Sequence, residues 1–79
     1  MLITPFQKAL RDKIVPPGEI RQVTRCSRTT LWRWQTGVSF PEKPQAETLI
    51  ALFSEHGAAL DYNGIYQATV PVQEDARHG

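Results

Sequence analysis

Apolar residues recur at helical spacing in four places along the chain. Phe6, Leu10 and Ile14 fall at intervals of four, the buried stripe of a first helix. Ile20 and Val23 lie three apart on one side of a short second helix, and Leu31 and Trp34 do the same for a third. Ala46, Leu49, Ile50 and Phe53 make the stripe of a fourth. The polar punctuation agrees with this division. Thr4 before Pro5, with Gln7 three residues on, is a capping box at a helix start. Val15-Pro16-Pro17-Gly18 stops the first helix, because a residue before proline avoids the helical region. Pro17 then serves at the first position of the second helix. Ser27 can N-cap the third, and Gly37 can end it in the left-handed conformation. Val38 to Lys43 is a loop in which Phe40-Pro41 is expected to lay Phe40 back over Trp34. Pro44 starts the fourth helix, and His56-Gly57 ends it, with His56 favoured there by the helix dipole.

The remainder has a different pattern. Leu60 to Val70 places Asn63-Gly64 between β-favouring residues, the strongest short-range hairpin signal. Strands near 59–62 and 65–70 are one expectation. An irregular arm clasping its own domain through Tyr62, Ile65 and Tyr66 is the other. A lone hairpin is marginal in water, so it must pack on the helices or pair with its copy in a second subunit. The fold class expected is mainly α: four helices with a short C-terminal β-hairpin or extended arm. Residues 1–71 form one domain, and 72–79 a disordered tail.

Charge alters the picture more than composition does. The apolar share, 41%, is ordinary. The net charge of +1 hides an asymmetry. Residues 17–43 carry Arg21, Arg25, Arg28, Arg33 and Lys43 against Glu19 and Glu42. Residues 44–79 carry only Arg77 against Glu47, Glu55, Asp61, Glu74 and Asp75. No acid lies between Ile20 and Phe40. A polyanion responds to such a local patch rather than to total charge. On the first helix, Lys8 and Arg11 are read as a solvated face.

The second and third helices cannot bury their narrow apolar sides alone; crossed, they share a core of Ile20, Cys26, Leu31 and Trp34. That spacing, followed by Gly37, resembles the helix-turn-helix of phage repressors and Cro proteins, over roughly residues 17–57. Arg21 stands where that family usually has alanine, and Arg25 where its turn usually has glycine. The resemblance implies that Ser27, Arg28, Thr29, Trp32, Arg33 and Thr36 face outward from a recognition helix. Such helices read base edges mainly with their N-terminal residues. Arg28 suits a bidentate contact to guanine, and Thr29 a thymine methyl or a polar edge. Arg33, one turn on, would reach a base or a phosphate. Trp32 would press on a thymine methyl or donate its indole N–H to a phosphate, and a buried role over the fourth helix or a dimer seam is its structural alternative. Ser27 completes the base-reading set. Arg21, Gln22, Arg25, Thr30, Thr36 and Lys43 are the expected phosphate contacts, which fix register without reading sequence. Thr30 has a purely local packing role as its alternative. Cro-type proteins use C-terminal strands for dimer contacts, which here implicates Tyr62, Ile65, Tyr66, Ala68 and Val70.

The expected function is therefore a sequence-specific regulator that binds a double-stranded DNA operator as a homodimer, in the manner of a phage or mobile-element repressor occluding a promoter. Two rivals stand beside it. Ser27 to Trp34 followed by Phe40-Pro41 also resembles the small excisionase-type activators, which continue into a wing. An antitoxin-like protein-interaction module anchored on Trp32 is the other. An enzyme is not expected: there is no glycine-rich phosphate loop, nucleophile–base pair or paired carboxylate, and 79 residues leave little room for a sheltered cleft. Cys26 is single, so no internal disulfide forms, and with His56 and His78 it has no zinc-ligand spacing. No metal, other cofactor or small-molecule ligand is expected. No apolar run approaches a membrane span and no secretion signal opens the sequence, so the expected location is the cytoplasm.

Overall fold

Thr4 opens the first helix in the way its neighbours dictate. Its backbone is extended, its hydroxyl accepts from the Gln7 N–H at 3.0 Å, and the Gln7 side chain accepts from the Thr4 N–H at 2.9 Å. The structure, a computed structural model, describes residues 1–72. Their order is β1 (Leu2–Ile3), α1 (Pro5–Arg11), α2 (Pro17–Thr24), α3 (Arg28–Thr36), α4 (Lys43–Glu55), α5 (Tyr62–Tyr66) and β2 (Val70–Pro71). The protein is thus mainly helical, with a small two-stranded antiparallel sheet.

Helix α1 is shorter than its apolar spacing predicts. Lys13 takes a left-handed conformation, φ 55°, just after the helix. The Lys13 and Ile14 N–H groups then donate back to the carbonyls of Leu10 and Ala9, at 3.1 and 3.3 Å. This pair of bonds satisfies the last helical carbonyls and swings the chain away. Ile14 is 41% exposed as a result, and Val15 takes its place in the core. In α2, Ile20 is buried but Val23 is exposed.

The core joins α1, α3 and α4. The Phe6 ring meets Trp34 at 6.2 Å between centroids and Phe53 edge-on at 5.8 Å. Such aromatic pairs contribute beyond their area. Phe6 and Phe53 are both essentially inaccessible, and truncating a buried phenylalanine costs about 3–5 kcal/mol. Phe40 does not cover Trp34, as its sequence position suggested. It is 43% exposed, and its ring lies 6.2 Å from that of Tyr66. Phe6 already fills the space beside Trp34. In α4, Leu52 joins Ala46, Leu49 and Phe53 in the core, while Ile50 is only partly buried.

The expected hairpin at Asn63-Gly64 does not form. Those residues lie inside α5. Asp61 caps this helix, its carboxylate accepting from the Gly64 N–H at 2.7 Å. Ile65 drops into the core, fully buried, against α1 and α4. Burying isoleucine and capping the turn outweigh the local preference for a tight reverse turn, because an isolated two-stranded ribbon would leave Ile65 in water. The extended segment that follows pairs with the other end of the chain. Leu2 lies opposite Pro71 and Ile3 opposite Val70. Val72, assigned by sequence to the disordered tail, donates its N–H to the Met1 carbonyl at 2.9 Å. The rest of that tail, 73–79, lies outside the described residues. Among the described residues no helix is long and apolar enough to cross a membrane.

Candidate nucleic-acid interface

The turn between α2 and α3 sets the direction of α3. It has three residues, Arg25, Cys26 and Ser27. Arg25 adopts φ 59°, the left-handed conformation that glycine takes without cost and other residues take at about 1–2 kcal/mol. Cys26 turns partly inward against the core. Ser27 N-caps α3: its Oγ accepts from the Thr30 N–H at 3.1 Å. Gly37 closes the other end at φ 83°. The helix between them is thereby held at both termini.

Leu31 and Trp34 are the buried residues of α3. At about 100° per residue they point one way, and Arg28, Trp32, Thr36, Thr29 and Arg33 span an arc of about 140° pointing the other. All five of those side chains are exposed. Arg28, Trp32 and Thr36 form one row at intervals of four; Thr29 and Arg33 form the next. Trp32 is 58% exposed, against 2% for Trp34. Thr36 donates its hydroxyl proton to the Trp32 carbonyl at 2.9 Å, and Ser27 donates to the Thr30 hydroxyl at 3.1 Å. Those protons are spent within the helix, which leaves Arg28, Thr29, Trp32 and Arg33 as the side chains that project without a bond among the described residues. Thr30 is half-buried and serves the cap.

The electrostatics follow from where the acids go. Among the described residues two ion pairs form, Lys8 with Asp12 and His56 with Glu19, the latter at 2.7 Å and charged when His56 is protonated. Glu19, the one acid between Gly18 and Gly37, is therefore held at the end of α4. Arg25, Arg28 and Arg33 are exposed and form no ion pair with a described carboxylate. Gln22 is exposed as well. Arg21 differs: it is only partly exposed, and its Nε is buried without a hydrogen-bond partner among the described residues. Lys43, at the start of α4, is exposed and sits 6.0 Å above the Tyr62 ring.

The residues assigned to a dimer contact are drawn back onto the protomer. Ile65 is wholly buried and is corrected to a core residue. The Tyr62 hydroxyl donates to Glu47 at 2.8 Å, and the Tyr66 hydroxyl to the Pro41 carbonyl. Val70 pairs with Ile3. Ala68 alone of the set is exposed and free of such a contact.

Sequence reasoning missed one positioning residue. Gln7 is buried, and its Nε2 donates to the Trp34 carbonyl at 3.3 Å, fastening α1 to the end of α3. Its role in the capping box was visible; the longer reach was not. A search of protein-family models, curated proteins and solved structures found no match to this chain.

Proposed function

We propose that this protein is a sequence-specific double-stranded DNA-binding regulator of the repressor/Cro type, which lays α3 in the major groove. The observation that carries the reading is the face of α3. Arg28 and Arg33 project outward, no described carboxylate neutralises them, and Glu19 is engaged by His56 at a distance along the chain. An uncompensated cationic face on a capped helix suits a polyanion. Arg28 reads a guanine from the N-terminal end of α3, with Ser27 and Thr29 beside it. Arg25, Gln22 and Lys43 hold phosphates, and Arg21 contributes its partly exposed end. Two copies on successive major grooves, about 34 Å apart, would form the working unit. With Ile65 withdrawn, exposed Leu2, Val38, Phe40, Tyr62 and Tyr66 are among the apolar residues left for that contact. Occupying a promoter would suffice for regulation.

The excisionase reading is weaker, because α4 follows Phe40-Pro41 where a wing would stand. The exposed Trp32 favours a second reading, a protein-interaction module anchored on that ring. Gel-shift with random and selected duplexes separates the two. The DNA reading expects a selected duplex to bind the parent and to be lost by Arg28→Ala and Arg33→Ala. If both variants bind every duplex as the parent does, α3 is not the reading helix.

A further inference from the structure

We propose that Trp32 is a specificity-determining residue of this interface, reading the 5-methyl group of a thymine a short step from the guanine held by Arg28. The inference rests on the DNA-binding reading and names what that same face selects.

Three observations carry it. Trp32 is a large apolar ring left 58% exposed, while the other tryptophan is buried, so the helix does not need it for its core. Among the described residues no aromatic ring stacks on it and no cation lies over it. It shares a row with Arg28, one turn away, on the side of α3 opposite Leu31 and Trp34. Whatever Arg28 enters, Trp32 enters beside it. An apolar protein seam at this place would bury the guanidinium groups of Arg28 and Arg33 along with the ring, leaving two charges desolvated and unpaired. A duplex avoids that cost, since phosphates line the groove on either side.

The major groove is polar at nearly every base edge. Its one apolar feature is the thymine methyl; cytosine presents only an N4 donor there. Trp32 lies about 6 Å along the helix axis from Arg28, which is about two base-pair steps. The selected site therefore has a guanine with a thymine within two or three base pairs of it. Helical side chains lean toward the N-terminus, which brings the indole ring nearer the floor beneath Arg28.

The test replaces each thymine of the selected duplex by deoxyuridine, one at a time, which removes only the methyl group. Affinity is measured for the parent, Trp32→Phe and Trp32→Ala, with helicity checked by circular dichroism. One deoxyuridine position is expected to weaken the parent about fourfold, the worth of one buried methyl. Trp32→Ala should bind about tenfold or more weakly and lose all sensitivity at that position, and Trp32→Phe should keep part of it. The inference is overturned if the selected site has no thymine there, if no deoxyuridine affects the parent, or if Trp32→Ala stays as sensitive as the parent. In those cases binding that still depends on Arg28 leaves the functional reading intact. A parent that binds no duplex ends both.

Discussion

The Gln7 amide donates to the Trp34 carbonyl at 3.3 Å and lies where any β-carbon on Gly37 would have to go, 2.9 Å from it. A buried side chain of α1 thus holds the C-terminal end of α3, and Gly37 leaves it room. Gly37 also needs φ 83°, which costs other residues about 1–2 kcal/mol. The Gln7 amide cannot simply step aside, since its other end accepts from the Thr4 N–H. Gly37→Ala is therefore expected to destabilise the protein by about 2 kcal/mol and to lower Tm by about 8–16 °C. Thermal unfolding followed by circular dichroism checks this. A Tm within a degree or two of the parent would show that neither the strain nor the amide contact matters.

Arg25 gives a prediction with two opposed parts. Its left-handed backbone is strained for arginine, so Arg25→Gly relieves about 1–2 kcal/mol less the greater chain entropy of glycine, a net gain of about 0.5–1 kcal/mol. The same change removes a proposed phosphate contact and should flatten the salt dependence of DNA binding by about one unit per protomer. Stability should rise while affinity falls. Calorimetry and binding titrations on one preparation measure both, and a fall in stability would contradict the strain argument.

Local chemistry was legible wherever it was decided by neighbours in sequence. Thr4 with Gln7, Ser27, Gly37 and Gly57 stand where a helix start or stop requires them. The pairing of Leu31 with Trp34 on one side of α3 was equally plain. Most of the misreadings came where a distant partner outbid a local signal; Ile14 is the local exception. Asn63-Gly64 reads as a hairpin until Ile65 is given a core to enter, and that core is built by α1 and α4. Ile14 keeps the interval of its stripe, yet the turn at Lys13 carries it outward. The pairing of Ile3 with Val70 links the two ends of the described chain, and no short-range pattern announces it. At the interface, the outward residues of α3 could be named from helical spacing, whereas the burial of Arg21 Nε depends on how α2 meets its neighbours.

The Tyr62–Glu47 pair has a pH signature. The Tyr62 hydroxyl donates to the Glu47 carboxylate, and that bond holds the phenol proton above the ordinary tyrosine value of 10.0; slight desolvation and the charge of Glu47 act in the same direction. A folded-state pKa above the unfolded one means the contribution is fully present below the ordinary tyrosine range. It is lost as pH rises through the raised value. Absorbance at 295 nm should show Tyr62 ionising later than a free tyrosine, and Glu47→Gln should bring it back toward the ordinary range. An unchanged titration in that variant would show the bond to be absent in solution.

The salt dependence of duplex binding tests the central claim, that the outward face of α3 and the turn before it meet a nucleic acid. Each neutralised phosphate contributes about −0.9 to the slope of log affinity against log salt. Arg21, Arg25, Arg33 and Lys43 together predict a slope of about −3.6 for one protomer and about −7 for two. The account predicts that steep line for a selected duplex, and a line shallower by about one unit per protomer for Arg25→Gly. A flat line, with any complex indifferent to salt between about 50 and 200 mM, would contradict it.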